Sequence, residues 1–132
     1  MELPSSTAAP HEARQLLAAE LERAGLSRES VGSEVVQLIL SEIVTNAVIH
    51  SDPPITVLAD VIDQFGINVA VADGSPEFEP HRRWARIEEP GGWGLELVDR
   101  LANSWGISPR PDRAAGKLVW AWVSLCPAPI PA

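Results

Sequence analysis

Apolar residues recur at helical spacing in the first part of the chain. Over 10–24 (PHEARQLLAAELERA), Ala13, Leu16, Leu17 and Leu21 share one side of a 3.6-residue repeat, and Gly25 supplies a stop. This predicts a first helix. Ser27 is the expected N-cap of a second helix running to about residue 49, where Asp52-Pro53-Pro54 ends it. Three further segments, 55–61, 67–72 and 118–125, are rich in β-branched or aromatic residues and bounded by turn formers, which predicts strands. The last alternates: Leu118, Trp120, Trp122 and Ser124 lie on one face, and Val119, Ala121, Val123 and Leu125 on the other. Its tryptophan face is expected to pack in the core or against helices. A helix over 95–102 and a short strand around 105–107 follow the long connection GSPEFEPHRRWARIEEPGGWG, whose length marks it as functional or mobile. Both ends, 1–8 and 126–132, carry proline without periodicity and are expected to be tails or edge segments.

Two helices, a hairpin, a helix and closing strands predict an α+β two-layer sandwich, with helices on one face of a mainly antiparallel sheet. At 132 residues there is room for one core, so residues 1–132 are expected to form a single domain with its core over about 10–125. The formal net charge of −8 argues against a nucleic-acid partner, because such a field repels a phosphate backbone. A small anionic ligand stays compatible if backbone amides and a local cationic cluster supply the field. Apolar runs are broken short of a membrane span and no cationic, apolar leader opens the chain, which predicts a cytoplasmic protein without a membrane partner. The lone Cys126 suits that reducing compartment.

The candidate chemistry starts on the second helix. In SEIVTNAVIHS, Glu42, Asn46 and His50 are spaced i, i+4, i+8, and fall at about 0°, 40° and 80° on a helical wheel. Val35, Ile39 and Ile43 occupy the same arc, so the polar groups are expected to be enclosed among apolar ones and to need partners, either internal side chains or a bound polar ligand. The strand VAVAD ends in Asp73-Gly74, and Gly91-Gly92-Trp93-Gly94-Leu95 opens a helix where backbone N–H groups can approach an anion. Arg82, Arg83 and Arg86 could add positive charge there, or could form a solvated face balanced by Glu77, Glu79, Glu88 and Glu89.

Taken in order, ILSEIVTNAVIHS, VADGS, GGWGLELVDRLANSWGI and GKLVWAWV resemble the boxes of the GHKL, or histidine-kinase-like, ATPase superfamily. Within it the chain is most similar to the anti-sigma factor serine kinases. The resemblance implies a Bergerat-type sandwich with a mainly antiparallel mixed sheet, binding ATP with Mg²⁺. It implies Glu42 as the general base, Asn46 as a Mg²⁺ ligand, and His50 flanking the nucleotide. Asp73 is implied as the acceptor from the adenine amino group, with Gly74 packed beside it. Gly92, Gly94 and Leu95 are implied as the phosphate-binding turn, and 75–90 as the lid. As partners it implies a sigma factor and a STAS-type anti-anti-sigma antagonist phosphorylated on serine, with a homodimer possible. Two features depart from the family pattern: Ser75 and Glu77 replace the glycines of D-x-G-x-G, and Leu118 stands where relatives carry threonine. A second reading therefore stays open, a non-catalytic interaction module with weak or no nucleotide turnover. His11 in PHEAR resembles a phosphoacceptor histidine, but too little chain separates it from Glu42 to hold a dimerising hairpin.

Overall fold

A computed structural model describes residues 1–27, 29–62, 65–75, 95–110 and 116–125. Its elements are β1 (Glu2–Leu3), α1 (Ala9–Arg23), α2 (Val31–His50), β2 (Ile55–Ile62), β3 (Gly66–Asp73), α3 (Leu95–Leu101), β4 (Ser104–Pro109) and β5 (Lys117–Ser124). The five strands form one sheet in the order β1-β2-β3-β5-β4, antiparallel at every pairing. The three helices among the described residues lie on one face.

Pro10 sits in the first turn of α1, where its missing N–H costs nothing. The start of α2 falls later than the sequence suggests. Ser30, not Ser27, is the N-cap, its Oγ accepting from the Ser33 backbone N–H at 3.2 Å. Ser27 instead closes the preceding turn, its Oγ accepting from Glu29 N–H at 3.2 Å and its carbonyl from the Ser30 hydroxyl at 3.2 Å. Two serines three apart offer the same cap chemistry, and tertiary packing decides between them.

The core lies between the layers. Leu17 and Leu21 of α1, Ile39, Leu40 and Ile43 of α2, and Ile55 and Ile67 of the sheet are fully buried, each contributing about 1.5–3 kcal/mol of hydrophobic stabilisation. Helix α2 is central, touching α1, α3, β2, β3 and β5. Over Gly32–His50 its mean hydropathy of 1.3 makes it long and apolar enough to cross a membrane by length and composition, which corrects the sequence reading of runs broken short of a span. A helix packed against neighbours on several sides becomes apolar around much of its circumference for the same reason.

The strand alternation is as expected, but the tryptophans face the other way from the helices. Trp120 and Trp122 are half-buried on the outer surface of the sheet, where they line an open depression with Leu58, Ile62, Ala70 and Leu118. Their indoles lie over glycines: a Cβ on Gly106 would come within 2.8 Å of the Trp120 ring, and one on Gly66 would strike Trp122. Among the described residues, these rings over Gly66 and Gly106 are what covers that part of the outer face.

The end of β3 is tightly built. Gly74 donates its N–H to the Asp52 carbonyl at 2.7 Å, and a Cβ there would meet the Pro53 carbonyl group, its carbon only 2.9 Å away. Backbone cannot move aside as a side-chain tip can, so Gly74→Ala is expected to cost about 1–3 kcal/mol. A lowered urea midpoint at unchanged slope is the result to look for.

Candidate functional site

Three pieces of chain converge between the layers: the C-terminal half of α2, the end of β3 and the start of β5. Their side chains enclose a small cavity of about 10 Å³, room for roughly one water molecule. Ile43, Asn46 and Ala47 come from α2, Ser51 from just past it, Val71 and Asp73 from β3, Lys117 and Val119 from β5, Ile107 from β4 and Leu95 from the start of α3. A purine does not fit that space, so occupation by a base requires the lining side chains to separate.

Asp73 and Lys117 form the polar centre. They are directly paired across β3 and β5, and their side chains are 1% and 3% exposed. Lys117 Nζ donates to Asp73 Oδ2 in a salt bridge and to the Ser51 hydroxyl at 2.6 Å. Asp73 Oδ1 accepts from the Ser75 N–H at 2.9 Å. Both carboxylate oxygens are therefore engaged within the protein. Gly116, at φ +118°, lets β5 begin against the Asp73 carbonyl, a conformation and an approach that a side chain would block.

The 51–54 connection is fastened to this centre at several points. Besides the Lys117 bond to Ser51 and the Gly74 bond to Asp52, Arg110 reaches across the sheet, donating from Nη1 to the Pro54 carbonyl at 3.0 Å and from Nη2 to Thr56 Oγ1 at 3.1 Å. Its own N–H is held by the Gly116 carbonyl at 3.0 Å.

The helical stripe is graded rather than uniformly enclosed. Asn46 lines the cavity, and its Nδ2 is buried with no hydrogen-bond partner among the described residues. Glu42, one turn earlier, is half-buried, lies outside the cavity lining, and has no partner among the described residues. His50 is exposed at the last residue of α2 and does not line the cavity. The apolar arc read from the wheel thus gives way before the helix ends, because the closing turn passes beyond the packed sheet. Of the other expected site residues, Leu95 is buried in the cavity wall and Gly74 packs against Pro53. Gly92, Gly94, Arg82, Arg83, Arg86 and nearly all of the 75–90 connection lie outside the described residues. His11 is exposed on α1, along a surface groove with Arg14 and Glu22.

Sequence reasoning missed Lys117, Ser51 and Arg110. The signal for Lys117 was present: extending the β5 alternation back by one residue puts it on the face of Val119, Ala121 and Val123. A lysine on a core-facing position demands a carboxylate. The position noted for its missing threonine, Leu118, faces the outer surface instead.

An amide NH2 with no partner among the described residues, in a cavity it shares with Asp73, Lys117 and Ser51, has the chemistry of a site for a polar ligand. For a divalent cation the residues present fit a sparse protein contribution. No three His, Cys, Asp or Glu converge among the described residues, so Mg²⁺ there would depend on the Asn46 amide oxygen together with water and phosphate oxygens, as that ion commonly does.

Helices stacked on one face of an antiparallel sheet, with a polar cavity opening from the central helix, define an α+β sandwich of ligand-binding type. Residues 3–121 match the histidine kinase-like ATPase domain family, and the chain belongs to that family. No protein of curated function matches it significantly. Among solved structures it is similar to the mycobacterial sensor histidine kinase MprB, with 17% identity and a TM-score of 0.57 over 83% of this chain and 93% of that one. Full-length ShkA in complex with AMPPNP matches at 20% identity and a TM-score of 0.58, over 92% of this chain but 30% of that one. The catalytic domain of the histidine kinase ThkA, in a nucleotide-free form, matches at 11% identity and a TM-score of 0.56, over 87% and 88%. At these identities the likeness is one of fold.

Proposed function

We propose that this chain is an ATP-binding anti-sigma regulatory factor that uses Mg-ATP to phosphorylate a serine on a STAS-type antagonist. The observation that carries the nucleotide part is the meeting of Asn46 and Asp73, from different elements, in one cavity where the Asn46 Nδ2 lacks a partner among the described residues. Family membership supports the same reading, and so does the AMPPNP of the ShkA complex. ATP with its Mg²⁺ supplies the transferable phosphoryl group when bound. In this reading Asn46 offers its amide oxygen to the metal, and Asp73 accepts from the adenine amino group. Gly92, Gly94 and the start of α3 at Leu95 hold the phosphates, with His50 at the margin. Glu42, half-buried one turn from Asn46, takes the proton of the attacking seryl hydroxyl.

The partners of this reading are a sigma factor and its antagonist, met in the cytoplasm without contact to nucleic acid or membrane. The acidic charge of −8 supports protein rather than DNA contacts, and pairing with a second copy of the chain belongs to the same reading. The serine-kinase subtype rests on the order of the sequence boxes. Incubation with labelled Mg-ATP and a STAS-type antagonist is expected to place the γ-phosphate on one antagonist serine. Nucleotide binding without any transfer would favour the second reading, an interaction module without turnover. One observation favours that module: both Asp73 oxygens already have internal donors.

A further inference from the structure

Nine of the ten cationic side chains are arginines, and the one lysine is Lys117. It is buried against Asp73, at a position where alternation alone would place an apolar residue. A buried ion pair gains little over an apolar pair of similar volume, so stability by itself does not account for it. Nor is the pair hidden in solid core: it faces a cavity whose other walls include Ile43, Val71, Ile107 and Val119.

We propose that Lys117 is a specificity-determining residue for the base, reading N1 of adenine while Asp73 reads the adjacent 6-amino group. The proposal rests on the nucleotide reading of this cavity. Direct pairing across β3 and β5 sets the two charged heads side by side. An ionised carboxylate only accepts hydrogen bonds and an ammonium only donates them. Together they present an acceptor next to a donor, the complement of a 6-aminopurine edge, where an amino donor adjoins a ring-nitrogen acceptor. A lysine ammonium suits this better than a guanidinium, being a compact charge whose donors turn to meet an acceptor. The Ser51 hydroxyl, half-buried at 2.6 Å from Nζ, holds the ammonium in place and is the acceptor that the ring nitrogen replaces. Ser75 N–H stays on Asp73 Oδ1 and keeps the carboxylate oriented.

Calorimetric titration of the full chain with the Mg²⁺ complexes of ATP, 1-deaza-ATP and the triphosphate of purine riboside tests this without any substitution. Removing N1 or the 6-amino group is each expected to weaken binding about tenfold or more, the worth of a hydrogen bond to a charged group. Lys117→Met, checked for folding by circular dichroism, is expected to bind ATP about tenfold more weakly while losing the preference for ATP over 1-deaza-ATP. Equal affinity of the wild-type protein for ATP and 1-deaza-ATP overturns the role of Lys117 and leaves the nucleotide reading standing. Tighter ATP binding by Lys117→Met overturns it too, by making the lysine a competitor for Asp73. Absence of binding by all three nucleotides overturns both.

Discussion

Asp73→Ala is expected to destabilise the fold by about 3–5 kcal/mol, because it breaks a buried ion pair by removing the carboxylate and keeping the Lys117 ammonium. Lys117 is 3% exposed, so water cannot take over the lost contact, and the Ser51 hydroxyl carries no charge to replace the carboxylate. The Ser75 N–H loses its acceptor in the same step. A protein of this size carries only about 5–15 kcal/mol of net stability, so the loss should lower the thermal midpoint by roughly 10 °C or more. Pairing Asp73→Ala with Lys117→Met removes both charges and is expected to restore much of the loss. A urea double-mutant cycle measures the coupling. Values above about 2 kcal/mol agree with a true buried pair, and additive effects would show that the two side chains do not depend on one another.

Glu42→Ala is expected to act on chemistry and spare the fold. Glu42 is half-buried with no partner among the described residues, so removing it should change stability by less than about 0.5 kcal/mol. As the base for the seryl hydroxyl, its loss should lower transfer to the antagonist at least a hundredfold, within the range of about 10²–10⁴ that positioned bases supply. Affinity for Mg-ATP should stay within about twofold, since the role is confined to the transition state. Single-turnover transfer, read beside a binding titration, separates the two. Unchanged transfer would remove Glu42 from the base role.

The architecture was legible because each element carries its own period. Ala13, Leu17 and Leu21 mark the buried side of α1, and Val119, Ala121 and Val123 that of β5. Alternation separates two faces of a strand without saying which one receives the helices. That is why the sequence places Trp120 and Trp122 in the core or against helices, though they lie over Gly106 and Gly66 on the outer surface. Resolving this needs cross-strand register, a relation between residues far apart in sequence. A similar limit applies to the Glu42, Asn46 and His50 stripe. A wheel treats the helix as endless, whereas α2 is enclosed at Asn46 and open at His50.

The site was legible in its carboxylate and amide and obscure in its cation. Asp73 and Asn46 stood out through their boxes, but Lys117 gains meaning only once β5 is laid beside β3. That register also changes the weight of the Leu118 departure: its side chain points away from the cavity, so the residue beside Asp73 is the lysine.

The central claim is that Asn46 and Asp73 converge on a nucleotide site. Its most direct test is a calorimetric titration of Mg-ATP into the wild-type protein and into Asn46→Leu, a change that also removes the buried, unmatched Nδ2. Saturable one-to-one binding to the wild type, weakened at least about tenfold in the variant, is the predicted result. Absence of binding to the wild type at millimolar Mg-ATP, or equal binding to both proteins, would contradict it.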